Sequence, residues 1–316
     1  MPSPSSREGD VWLASGGGAA LSSAEPPRRA PKERTPARAA LGRRNRGRRE
    51  QRFGLVPRIG LVIFGLLLLA TLLAPILPID DPLQQTLSLR NAGPSLHHLL
   101  GTDLVGRDML SRVIYGCRSA FEGVALGVAS MLALGVPWGL AAGFSGTAVD
   151  ELLMRIADAL LSFPPLILAI GVVSALGPSI SHAMVTVGVI SAPGVARLLR
   201  SAVLPVRGAQ FVLIARSLGV SPLRIAARHV LPNAMAPVVV QAVAAASYFL
   251  IVEAALSFLG LGVPPPSPSW GADMASAYLN FTANPTATVV PGLAITIGAW
   301  SISMVGDGLR DVLIRA

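Results

Sequence analysis

The feature that most limits how this chain can fold is a set of long stretches without a charge. Residues 59–79 carry no charged side chain and are bounded by Arg58 on one side and by Asp80 and Asp81 on the other. Between Asp158 and Arg197 there is no Asp, Glu, Lys or Arg. A helix rises about 1.5 Å per residue, so roughly 20 apolar residues cross the ~30 Å of hydrocarbon in a bilayer. Lipid offers backbone N–H and C=O groups no partners, which makes helices the expected element. A hydrophobic fraction of 52% against 14% charged residues agrees with lipid as the main solvent.

Six spans are expected. The first, 59–79, is too long for the apolar core of a signal peptide, lacks a small-x-small cleavage site after it and is followed by further spans. The second, 123–144, contains Pro137 and is rich in Gly and Ala, small residues that let membrane helices approach closely. The uncharged run 159–196 is broken by Gly177-Pro178-Ser179 and reads as spans three and four joined by a tight turn. Spans five and six occupy 233–256 and 289–305.

Arginine placement gives the orientation. Six arginines (Arg197, Arg200, Arg207, Arg216, Arg224, Arg228) and no acid fall in 197–228, whereas 262–290 holds no Lys or Arg. The first segment is therefore expected in the cytoplasm and the second outside. With six spans both termini are cytoplasmic, in a multi-pass protein of the cell membrane. The expected organisation is a tail (1–50), a first transmembrane helix (51–80), an external loop with a short helix (81–118), a five-helix core (119–310) containing a cytoplasmic loop at 205–232, and a short C-terminus (311–316).

The net charge of +9 arises almost wholly before residue 59, where thirteen Lys or Arg face five acids and leave +8. A basic tail rich in Pro, Ser, Gly and Ala has too little apolar surface to offset its ordering entropy and is expected to be disordered. Nucleic acid is not an expected partner, because only Trp12 and Phe53 would offer stacking surfaces. Arg43, Arg44, Arg46, Arg48, Arg49 and Arg52 are instead expected to meet anionic lipid headgroups. With Cys117 the single cysteine, the chain forms no disulfide or thiolate cluster of its own.

Residues 211–233 read as two short helices around a sharp corner. Gly219 suits the left-handed conformation that ends a helix, Ser221 suits the N-cap, and Pro222 falls at the first helical position. Leu223, Ala226, Ala227 and Val230 follow the i, i+3, i+4, i+7 pattern of an apolar stripe, with Arg224 and Arg228 on another face. That stripe covers either the protein's own helices, the headgroup layer or a partner.

The same segment resembles the EAA loop of binding-protein-dependent importer permeases at Ala215, Gly219, Val230, Leu231 and Pro232. It departs from the family pattern at Leu213, where the family has Glu, and at Ile214, where it has a small residue. Four further blocks, at 100–116, 150–170, 253–271 and 291–311, are similar to the dipeptide and oligopeptide permease C subunits.

The resemblance implies an all-α membrane protein with the type I importer permease fold, whose loop between spans four and five is a coupling-helix pair. In that family the loop docks on an ATPase, which here implicates Ala215, Arg216, Gly219, Ser221, Pro222, Leu223, Arg224, Arg228, His229, Leu231 and Pro232. It also implies a second permease subunit, one or two ATPase subunits that bind ATP and Mg, and an external solute-binding protein. The cargo is implied to be dipeptides or short oligopeptides, with haem, nickel and glutathione as alternatives.

The chain itself is expected to be non-catalytic and to hold no cofactor. A phosphate-cradling G-x-x-x-x-G-K-[ST] loop needs a lysine, and Lys32 is the only one. Toward the outside, Asp103, Arg107 and Asp108 near a Gly-punctuated turn, and Trp270 at the end of a proline-stiffened stretch, are candidates for an external gate facing a delivery protein, and Glu253 is a candidate for the pathway because ionisable groups in a membrane are costly. The alternative for the charges is helix capping and local pairing, and for Glu253 pairing within the bundle. No metal site is expected. A secondary transporter, the main rival class, would share the Gly and Pro breaks but would not need a basic, acid-free helix pair in one loop. A channel would show a filter or ring sequence, and none is present.

Overall fold

Each long uncharged run folds as a helix. The computed structural model describes residues 54–315; the basic tail, with the arginines expected to meet headgroups, lies outside the described residues. Among the described residues every regular element is helical: α1 (Leu55–Leu73), α2 (Met109–Phe144), α3 (Thr147–Leu161), α4 (Pro165–Leu176), α5 (Ile180–Arg207) and α6 (Gln210–Ser217). There follow α7 (Pro222–Ile225), which runs through a π-turn (Ala226–Val230) into α8 (Leu231–Ala234), then α9 (Ala236–Phe258), α10 (Trp270–Tyr278) and α11 (Pro285–Arg315).

Five of these, α1, α2, α5, α9 and α11, are long and apolar enough to cross a membrane. The count reaches six only if α3 and α4, which meet at 85° where the third span is expected, are taken together as one span. Pro164 and Pro165 stand at that break, and a proline has no N–H to continue a helix ladder. The twelve residues of α4 extend only about 18 Å. Spans three and four, read from one uncharged run, are thus a half-length α4 and a full-length α5. Gly177, with φ +91°, forms the turn between them.

The second span also differs from expectation. It begins at Met109 rather than near 123, since Asp108 caps it there and the charged Arg112, Arg118 and Glu122 ride on its first turns. The loop expected to reach residue 118 therefore ends at Asp108.

The core is built on close helix contact. Gly123, Gly127, Gly135, Gly139 and Gly143 recur at multiples of four along α2 and share one stripe. A Cβ at Gly139 would lie 2.5 Å from the Ala196 carbonyl oxygen, and one at Gly135 would lie 2.8 Å from that of Ala192. Glycine is what lets the α5 backbone come this near, and dispersion contacts over the shared length then hold the pair. Around them, Met131, Met184, Leu199, Phe249 and Leu250 are fully enclosed. α1 packs on α2 and α11 through Gly60 and an edge-on Phe64–Phe121 contact of 5.4 Å, while Leu61, Val62, Leu66 and Leu72 stay exposed. Such a bare apolar face is what a lipid-facing helix presents.

Candidate functional site

The arginine-rich end of the bundle carries the corner read from the sequence. α6 buries Val212 and Ala215 and exposes Phe211, Leu213 and Ile214. It ends in a Schellman motif: the Gly219 N–H donates to the Arg216 carbonyl and the Val220 N–H to that of Ala215, at 3.0 and 3.1 Å. Gly219 has φ +76°, the left-handed conformation expected of it. Pro222 opens α7 at its first position. Ser221 precedes it as expected, but no side-chain cap bond forms; its backbone carbonyl accepts the Ile225 N–H at 3.0 Å.

The buried face of the second helix is not the predicted stripe. Ile225, Ala226 and Val230 are enclosed, whereas Ala227 is exposed and Leu223 is 79% exposed. The cause is the π-turn: the Leu231 N–H reaches the Ala226 carbonyl, five residues back, and brings Ile225 and Val230 onto one face. Pro232 has no N–H for the carbonyl four residues before it, and Asn233 Nδ2 donates to the His229 carbonyl at 2.7 Å. Half-buried His229 and Leu231 and exposed Pro232 close the stretch as α9 approaches.

Four of the six arginines fold back on the bundle. Arg207 Nη1 donates to the carbonyls of Gly143 and Ser145, both at 3.1 Å, satisfying groups left open at the end of α2. Arg216 lies over the Phe144 ring, 5.5 Å from its centroid. Arg200 grips Asp150 with a forked pair of bonds, one of 2.6 Å, and Arg197 pairs with Asp158. The remaining two, Arg224 and Arg228, are exposed beside Leu213, Ile214, Leu218 and Leu223, themselves 51% to 79% exposed. An apolar knob flanked by two outward arginines has the composition of a contact surface.

At the opposite end the expected gate residues are knotted into the chain. Asp103 holds Arg107 through a 2.5 Å Oδ2–Nε contact, and its Oδ1 accepts the N–H groups of Val105 and Arg107 at 2.9 Å. Asp108 caps α2 by accepting the Ser111 N–H at 2.8 Å. Both arrangements are the capping and pairing alternative. Trp270 is 1% exposed, donates Nε1–H to the Val113 carbonyl at 2.8 Å and rests on Gly116 and Gly298, so it is an interior peg of the bundle. Glu253, 2% exposed, accepts the Ser257 hydroxyl at 2.8 Å and is enclosed by this chain's own residues.

Two features here have no local sequence signal. Arg112, 4% exposed, donates to Asp273 and to the carbonyls of Pro82 and Pro266, tying three distant segments together. Burial pushes the Asp273 carboxyl above its ordinary value, and the Arg112 guanidinium opposes that rise. The other is the meeting of His98 with Asp80 and Asp108. Only a test of each Asp against each Arg or His at any separation would have found either.

Comparison with known proteins places these features in context. Residues 135–316 match the family model described as "Binding-protein-dependent transport system inner membrane component". A putative peptide transport system permease protein of Brucella suis biovar 1 is 42% identical over 257 residues, covering 81% of this chain and 86% of the relative. The dipeptide transport system permease protein DppC of Alkalihalophilus pseudofirmus is 36% identical, covering 81% and 84%. The glutathione transport system permease protein GsiD of Escherichia coli O6:K15:H31 is 38% identical over 223 residues, covering 71% and 74%. Among solved structures, an inward-facing MetNI methionine ABC transporter chain aligns with a TM-score of 0.54 at 18% identity, over 65% of this chain and 97% of that one. At that identity the match shows a shared fold.

Proposed function

Because this chain belongs to the family of binding-protein-dependent transport system inner membrane components, we propose that it is one permease subunit of an ATP-driven importer of dipeptides or short oligopeptides. The observation that carries this reading is the corner at Gly219. It offers Leu213, Ile214, Leu218 and Leu223 to a partner, with Arg224 and Arg228 beside them. A bilayer-facing role fits poorly, since the corner joins two spans at the end where the arginines concentrate. The partner is an ATPase subunit, one or two per complex, which binds the ATP and Mg.

The chain shares the pathway with a second permease subunit and receives its cargo from a solute-binding protein outside the cell. Both termini are cytoplasmic. The peptide relatives, at 36% to 42% identity over about four fifths of the chain, support peptides as the cargo. The decisive measurement is uptake of labelled dipeptide into liposomes holding the full complex, with and without the binding protein, and with labelled glutathione as a parallel arm. ATP-dependent dipeptide uptake that needs the binding protein is expected. Uptake of glutathione alone would replace the peptide reading, and uptake without ATP would overturn the importer reading.

A further inference from the structure

The bundle end opposite the arginine-rich corner gathers three donor atoms from three separate stretches of chain. Asp80 follows α1, His98 lies in the loop before α2, and Asp108 is the first cap of α2. His98 Nδ1 stands 3.1 Å from Asp108 Oδ1 and 3.6 Å from Asp80 Oδ2, and one ligand atom from each residue lies within 4.8 Å of the other two. In a tetrahedral site with metal–ligand bonds of about 2.1 Å, neighbouring donors stand about 3.4 Å apart. The two distances from His98 are therefore already close to the edges of such a site, and the third, between the carboxylates, is within 4.8 Å. The three atoms are also of mixed type, an imidazole nitrogen and two carboxylate oxygens, the donor set of first-row divalent cations.

The surroundings are those of a held site. The second carboxylate oxygen of Asp108, a residue 6% exposed, accepts the Ser111 N–H, and the Ser111 hydroxyl donates to the Asp80 carbonyl at 2.6 Å. His98 is fixed by a local turn in which its N–H donates to Ser95 Oγ at 3.1 Å and its carbonyl accepts the Ser95 N–H at 2.8 Å. Ligands oriented by neighbours in this way bind metal more tightly than free ones. A cavity of about 340 Å³ opens onto the cluster, lined also by Asp81, Gln84 and His97, with room for an ion, its water and a fourth ligand.

We propose that Asp80, His98 and Asp108 bind a first-row divalent cation, for which zinc(II) is the matching probe, as a resident staple between the end of α1 and the start of α2. The ion neutralises two carboxylates held close together and adds a link between the chain after α1 and the start of α2, beside the Ser111 bond to the Asp80 carbonyl and the Arg112 bond to the Pro82 carbonyl. The transport reading is not needed for this inference, which concerns binding and stability alone.

The test uses the full-length chain, purified in detergent with a histidine-free affinity tag and stripped with a chelator. Zinc is titrated by calorimetry, and thermal unfolding is followed with and without the ion. One saturable ion per chain and a rise in Tm on loading are expected. His98→Ala and Asp80→Asn each weaken binding at least about 10-fold, as loss of a ligand costs no less than loss of its supporting group. His182→Ala, on α5, leaves binding unchanged. Asp108 is left intact because its carboxylate also caps α2. Absence of saturable binding would leave the His98–Asp108 hydrogen bond as the link that joins these residues, and binding that survives both variants would put the ion elsewhere on the chain; either result overturns the proposal.

Discussion

At Gly139 a single methyl group decides whether two helices can meet. Its Cβ would stand 2.5 Å from a backbone oxygen of α5, which cannot move without moving the helix. Gly139→Ala is therefore expected to destabilise the chain by about 1–3 kcal/mol through overpacking. Gly194, in the interior of α5, has nothing within 4 Å of a Cβ. There Gly194→Ala is expected to stabilise by about 0.5–1 kcal/mol, the gain in helix propensity. Thermal unfolding in detergent measures both, and shifts of the same sign would refute the assignment of the stripe. Arg112 gives a second residue-scale expectation. Arg112→Met leaves the Asp273 carboxylate buried without its partner, at a cost of about 3–5 kcal/mol, and adding Asp273→Leu recovers much of it. A double variant no more stable than the single one would show that the carbonyl contacts of Arg112, and not the ion pair, hold this end.

The corner between α6 and α7 is an element-scale device, since its direction depends on one backbone angle. Gly219 has open space where a Cβ would stand, so the strain of Gly219→Val comes from φ +76° and not from a clash. That variant is expected to insert normally while losing its ATPase partner on purification. Leu223→Glu, at a 79% exposed position, is expected to do the same without any backbone strain. Normal co-purification of both would sink the docking role. How much of this was legible in the sequence follows from range. Gly219 and Pro222 were readable because helix ends obey rules spanning four or five residues. Which side chains face inward was not, because the π-turn rotates the face by an amount that Pro232 announces but does not specify. Likewise the Gly177-Pro178-Ser179 turn is legible as a break, whereas the 85° bend at Pro164-Pro165 is not, because a proline pair marks where a helix can stop but not the angle at which the next one starts.

For the whole molecule, charge gave the plan and distance hid the fastenings. The uncharged runs and the arginine bias needed only counting along the chain, and they yielded the all-helical spans. Arg112 with Asp273, and His98 with Asp80 and Asp108, depend on which helix ends the packed bundle brings together. Local spacing carries no trace of that. The proposed orientation is testable on the same scale. In a Cys117→Ser background, Leu96→Cys at a 96% exposed position is expected to react with a membrane-impermeant maleimide in intact cells. Leu223→Cys is expected to react only after the membrane is opened. Labelling in the reverse order would invert the topology.

Finally, the glycine stripe has a mechanical meaning. α2, at 36 residues, is a rod of about 54 Å, and its seam with α5 leaves no slack for one helix to slide on the other. The corner hangs from the far end of α5, while the Asp108 cap and the Arg112 anchor sit at the near end of α2. A displacement of α5 at the corner is therefore expected to carry α2 with it along the glycine seam.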